Sequence, residues 1–89
     1  MDWQIKWDTR ASKELQKLDK PIQREILEYL RERIIKGGDP RAYGKALVGN
    51  LAGLWRYRVQ DHRIIGKIDD DKLTVFITKV AHRNKVYDD

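Results

Sequence analysis

Between Leu54 and Ile65 the chain reads Leu-Trp-Arg-Tyr-Arg-Val-Gln-Asp-His-Arg-Ile-Ile, and no other stretch restricts the fold as much. Apolar and basic residues alternate on both sides of Gln60-Asp61, and a period of two belongs to a strand. The pattern predicts strands over 54–59 and 62–68 meeting at a tight turn. Trp55, Tyr57 and Val59 then take one face, and Arg56 and Arg58 the other. A two-residue turn sets Arg58 directly opposite Arg63. Like charges opposed across strands cost up to about 1 kcal/mol. Three arginines on one face therefore predict an anion there, and a phosphate backbone is the candidate.

Eighty-nine residues predict one small domain spanning 1–89. Its single modest core leaves no room for a large internal pocket, which directs function to a surface or shallow groove. The absence of cysteine excludes a disulfide framework, a zinc–thiolate site and a thiol nucleophile, and it suits a cytoplasmic location. No apolar run approaches the roughly 18 residues of a membrane span. The start, Met-Asp-Trp-Gln-Ile-Lys, lacks the apolar stretch of a signal peptide. Nineteen Lys and Arg against 14 acids give a net charge of +5. That balance favours a polyanionic partner such as RNA, DNA or an acidic protein, and it is equally the surface of an ordinary basic protein.

Trp3, Ile5 and Trp7 alternate as the inward side of a first strand over 3–7. Asp8-Thr9 supplies an N-cap oxygen for a helix whose apolar stripe is Ala11, Leu15 and Leu18. Asp19 caps a second helix with Pro21 in its first turn. Its buried face is Ile22, Ile26, Leu27, Leu30 and Ile34, and Gly37-Gly38 ends it. The connection over 37–53 is too long to be structureless in a small domain. It is either functional or held to the core through Leu47 and Leu51. A last strand over 72–80 follows the turn at Asp69-Asp70-Asp71, which reads as a solvated turn rather than a metal site. A short loop there pairs Ile68 with Leu73, Gly66 with Val75 and Ile64 with Ile77. One face then carries Trp55, Tyr57, Val59, Ile64, Ile68, Leu73, Val75 and Ile77, the surface two helices would cover. The other carries Arg56, Arg58, Arg63, Lys67, Thr74 and Thr78, with Ile65 and Phe76 among them. The whole is an α+β domain, a helical hairpin on one face of a mainly antiparallel sheet. Continued alternation sends Val80 and His82 to the arginine face, with Arg83 and Tyr87 following. His62 falls on the core face.

Such a surface suits RNA cleavage by its own 2′-hydroxyl, which attacks the adjacent phosphate in line and expels the 5′-oxygen. The reaction calls for a base, an acid and cations around the phosphorane, with no metal or cofactor. Arginine suits the charge role, being always protonated and fork-shaped. Histidine titrates near neutrality, which makes His82 the acid–base candidate. Phe76 on the basic face is a candidate to stack a base. Each residue also has an ordinary reading: solvated strand face for the arginines, surface hydrogen bonding for His82, packing for Tyr87 and Phe76.

Five stretches together resemble the RelE branch of the RelE/ParE toxin superfamily: the helix Ala11–Asp19, Lys45-Ala-Leu-Val-Gly49, Gly53-Leu-Trp-Arg-Tyr-Arg58, Asp61-His-Arg-Ile-Ile65 and Val80-Ala-His-Arg-Asn-Lys-Val-Tyr87. The resemblance implies a β-α-α-β-β-β fold and a type II toxin that cuts mRNA in the ribosomal A site without a metal. It also implies a RelB-like antitoxin that wraps and masks the site. On the family's pattern Arg56, Arg58, Arg63 and Arg83 take the basic positions around the phosphate. His82 falls on a position that is histidine in many members, and Tyr87 matches the tyrosine that stacks on a base or shares in proton transfer. Lys45 would touch RNA. Arg56 and Arg58 stand where studied members carry lysine, and Gln60 where a turn glycine is common. Two other readings keep the fold: a ParE-like inhibitor of DNA gyrase, and a non-catalytic RNA- or antitoxin-binding module.

Overall fold

Strand β1 (Gln4–Trp7) leads into helices α1 (Thr9–Gln16) and α2 (Lys20–Leu30), and strands β2 (Lys45–Ala46), β3 (Leu54–Val59), β4 (His62–Asp69) and β5 (Thr74–His82) complete the sheet. The computed structural model describes residues 2–85; Met1 and 86–89, with Tyr87 among them, lie outside the described residues. The sheet order is β1-β5-β4-β3-β2. All neighbours are antiparallel except β1, which runs parallel to β5. This is the expected α+β arrangement with one additional two-residue strand at an edge.

The helices form because their apolar residues recur at helical spacing and need one surface to cover. Ala11 and Leu15 of α1, with Ile26, Leu30 and Ile34 of α2 and its continuation, pack against Tyr57, Val59, Ile64, Val75, Ile77 and Val80 of the sheet. Leu27 departs from expectation and is 46% exposed, on the outer side of α2. Asp8 and Asp19 occupy the N-cap positions with extended backbones, but neither carboxylate makes a capping hydrogen bond. After Leu30 the helix widens into a π-helical turn over Arg31–Ile35, closed by Lys36 N–H donating to Arg31 O at 3.0 Å.

The connection over 37–53 is ordered in short pieces: 3-10 turns at Pro40–Ala42 and Gly49–Leu51 flank β2. Leu47 is buried. Arg41 grips Asp70 in the β4–β5 turn with both terminal guanidinium nitrogens, at 3.0 and 2.6 Å. That turn is therefore more than solvated acid, since one of its three carboxylates ties the connection down. Gly44 approaches the Tyr57 ring so closely that a Cβ would stand 2.8 Å from it. The Tyr57 hydroxyl donates to Pro40 O at 3.0 Å.

Two details of β5 correct the sequence reading. The turn consumes Asp70–Leu73, with Leu73 at φ 47°, so Ile68 pairs with Val75 and Gly66 with Ile77. A two-residue slip leaves Val75, Phe76 and Ile77 on their expected faces, while Leu73 falls in the turn instead of on the core face. Then Thr78 is extra: Gly66 faces Ile77 but Ile65 faces Lys79. This β-bulge adds one residue and reverses the alternation beyond it. Val80 therefore pairs with Ile64 and enters the core instead of joining the arginine face. Beyond β1 the edge of β5 is covered by α1, whose Glu14 Oε1 accepts from Val80 N–H at 2.9 Å.

Candidate nucleic-acid interface

Antiparallel partners share a face, so the register decides where the cations go. Arg56 pairs with Ile65 and Lys45, and Arg58 pairs with Arg63. The turn holds two residues as expected, with Gln60 accepting a left-handed φ of 55° where glycine is easier. Arg56, Arg58, Arg63 and Lys45 therefore belong to the sheet face without helices, opposite Tyr57 and Ile64. Arg58 is exposed, whereas Arg56 and Arg63 are only 4% and 6% exposed. The Arg63 guanidinium folds back onto the hairpin turn, donating from Nη1 to Gln60 O at 2.9 Å and His62 O at 3.1 Å.

The same turn anchors the end of β5. Arg83 N–H donates to Asp61 O at 2.7 Å, and its guanidinium lies 3.6 Å from the Asp61 carboxylate. Arg63 and Arg83, some twenty residues apart in sequence, thus meet at one sheet end, and Arg83 remains well exposed there.

The bulge changes the face of every β5 residue beyond it, and two of these bear on the site. Lys79 pairs with Ile65 and joins the open face, where it had not been expected. His82 pairs with His62 and takes the helix-covered side, against the expectation that it would sit with the arginines. The two imidazoles meet edge to face with centroids 5.5 Å apart. His82 stays only one position along β5 from Ala81, the partner of Arg63. Its Nδ1 accepts from Asn84 N–H at 3.2 Å, which leaves Nε2 as the atom to carry a proton. The sequence held a signal for this exchange. Thr78-Lys79 are consecutive polar residues before apolar Val80, and a bulge is what keeps Val80 inside.

Burial holds the His62 imidazole below its usual value, and His82 acts in the same direction while Asp61 and Glu25 oppose it. Folding thus favours neutral His62, and unfolding takes up a proton as pH falls below about 6.5. Stability contributed by His62 is complete above that value and is lost as pH descends toward the lowered one. Thermal melts across pH 8 to 5 should show the melting temperature falling below about 6.5, with His62→Gln flattening that fall. An unchanged slope in the variant would assign it to other groups.

Further along the sheet, toward the β5 edge, lies an apolar crevice of about 280 Å³ lined by Leu47, Leu51, Leu54 and Ile65, with Arg10, Lys79, Lys85 and one acid, Glu14, completing its wall. Leu47 and Ile65 are buried there, away from the main core. The sequence reading missed this patch because Arg10, Glu14 and Lys85 come from elements not assigned to the sheet. Beyond the crevice Phe76 is 40% exposed. Among the described residues no cluster of three or more His, Cys, Asp or Glu can hold a metal ion, and no helix is long and apolar enough to cross a membrane.

A family model described as the ParE toxin of type II toxin–antitoxin systems matches residues 5–87. Toxin RelG of Mycobacterium tuberculosis is 31% identical over 87 residues, which cover 98% of each chain. Toxin RelE of the same organism is 31% identical over 77 residues, covering 86% of this chain and 77% of the relative. Among solved structures, the M. tuberculosis toxin–antitoxin complex RelBE2 aligns with a TM-score of 0.79 at 30% identity, covering 93% of this chain and 100% of that one. The isolated E. coli RelE toxin shares the fold, with a TM-score of 0.72 at 22% identity over 90% of this chain and 83% of that one.

Proposed function

This chain belongs to the RelE/ParE superfamily of type II toxin–antitoxin toxins, and from that premise we propose that it is a ribosome-dependent mRNA endoribonuclease restrained by a RelB-like antitoxin. The observation that carries the reading is the gathering of Arg58, Arg63 and Arg83 at the hairpin end of the sheet. The solved M. tuberculosis relative in complex with its antitoxin supports the partner.

The chemistry follows from what these groups can do. Message bound across the hairpin end in the ribosomal A site presents one phosphate to Arg58 and Arg83, the accessible cations. Arg56 and Arg63, set deeper, add positive potential from below, where lower polarisability strengthens it. The 2′-oxygen forms a bond to phosphorus while the bond to the 5′-oxygen breaks. One proton leaves the 2′-hydroxyl and one reaches the departing 5′-oxygen. Arginine holds its proton too tightly to serve as base. His82 lies at the same sheet end but on the helix-covered side, so it reaches the message around the hairpin end, where Nε2 exchanges a proton. Tyr87 stacks on a base or shares the transfer, and Lys45 contacts the strand beside Arg56. In-line positioning by the ribosome-bound message supplies several kcal/mol of the acceleration.

Expression without antitoxin should arrest growth, and primer extension should map cuts inside translated messages that vanish when ribosomes are withheld. Intact message during arrest would remove the ribonuclease reading. Arrest with a DNA-damage response and no cleavage would put gyrase in its place, and no arrest at all would leave a binding module.

A further inference from the structure

Phe76 sits at the centre of a rung the arginine cluster does not explain. Its neighbours Val75 and Ile77 are fully buried, while the Phe76 ring on the opposite face is 40% exposed. Its cross-strand partner in β4 is Lys67, and its partner in β1 is Lys6. The ring is thus flanked on both sides by lysines sharing its face. Thr74 lies two positions back along the strand, and Lys72 joins from the turn to close a groove of about 340 Å³. One acid is present, Asp69, and its Oδ1 accepts the backbone N–H of Lys72 at 3.3 Å as part of the turn. Three ammonium groups therefore stand against one carboxylate around an exposed aromatic ring.

We propose that Phe76, with Lys6, Lys67 and Lys72, is a second RNA subsite that stacks one base of the single-stranded message away from the cleavage point. The inference rests on the ribonuclease reading for the identity of the strand. An aromatic ring presented from a sheet surface is how several RNA-binding domains hold an unstacked base. Stacking accepts any base, and flanking cations hold the backbone on either side. A protein partner would match an apolar ring less well when lysines are its nearest neighbours, because they must then be desolvated or paired. The subsite also has a defined distance. From Arg63 to Lys67 is four residues of β4 on one face, about 13 Å along the strand. Ile65 lies between them, on the wall of the apolar crevice. The face offers a continuous track from the hairpin cations, past that crevice, to the Phe76 ring. A strand held at both ends is fixed in register, which makes Phe76 a determinant of where the message is cut rather than of how fast.

The test is direct binding of the full chain to a short single-stranded 2′-O-methyl RNA, which cannot undergo 2′-hydroxyl attack. Phe76→Ala should weaken binding about 10-fold, Phe76→Tyr should retain it, and Phe76→Leu should fail as alanine does. Replacing Lys6 and Lys67 together with glutamine should reduce the slope of log affinity against log salt by about 1.4. Because the probe is uncleavable, the outcome does not depend on catalysis. Wild-type affinity in Phe76→Ala overturns the subsite, as does full rescue by leucine, which would mark plain apolar packing. Absence of measurable binding by the wild-type chain overturns it too. Loss of cleavage in Arg83→Ala beside unchanged binding in Phe76→Ala would remove the subsite and leave the ribonuclease reading standing. The reverse pattern would leave RNA binding without chemistry.

Discussion

Replacing Arg83 with alanine is expected to lower the rate of message cleavage by about 10²–10³, the usual cost of removing one preorganised donor to a developing oxyanion. The fold should not notice. Arg83 has a side chain 57% exposed, and its contact with Asp61 is 3.6 Å long between two exposed groups. Such a pair contributes at most about 1 kcal/mol. Lysine at this position should recover part of the rate, restoring charge without the planar fork. Single-turnover cleavage on programmed ribosomes, beside a thermal melt of each variant, separates the effects. Arg63 would be the poorer test, because its guanidinium also bonds the carbonyls of Gln60 and His62. Arg63→Ala should lose activity and hairpin stability together. Full cleavage by Arg83→Ala with an unchanged melt would take phosphate chemistry away from the end of β5.

Tyr57→Ala should be the most destabilising single change, by roughly 3–5 kcal/mol. Tyr57 is fully buried and the largest of the fully buried side chains. Its ring meets Tyr29 edge to face at 6.5 Å, closes over Gly44, and ends in the hydroxyl bond to Pro40 O. Burial pushes its hydroxyl well above the ordinary tyrosine value, so it stays a neutral donor. Small domains hold only about 5–15 kcal/mol in total, so the alanine variant should be partly unfolded at 37 °C. Tyr57→Phe keeps the ring and loses one hydrogen bond, costing about 1 kcal/mol. Urea denaturation of the two variants measures both. An alanine cost near that of phenylalanine would mean the connection over 37–53 is not seated on this ring.

Much of this was readable from residue order. The alternation around Gln60-Asp61 was enough to pair Arg58 with Arg63 and to put Tyr57 and Ile64 beneath the helices, because a strand leaves side chains only two directions. The helix stripes were equally legible except at Leu18, which packs on the core from just beyond the end of α1, and at Leu27, which is exposed on α2. Capping was not, since Asp8 and Asp19 have the right identity and position but their carboxylates make no capping hydrogen bond. The roles of Arg56, Arg58, Arg63 and His82 came from residue type and strand parity together with family likeness, those of Arg83 and Tyr87 from the likeness alone, and all stand as proposals for the experiments above.

Local periodicity determined the two helices and the four longer strands, and which of their residues share a face as far as the bulge at Thr78, because those are properties of neighbours along the backbone. Tertiary structure decided three things, only the first of which left a trace in the residue order. The extra residue at Thr78 sends Lys79 outward and His82 inward. Arg63 and Arg83 gather on one turn, and Phe76 stands between lysines of two different strands. Each depends on how separate segments line up across hydrogen-bonded partners, and one residue of slippage there outweighs any preference written within a single segment.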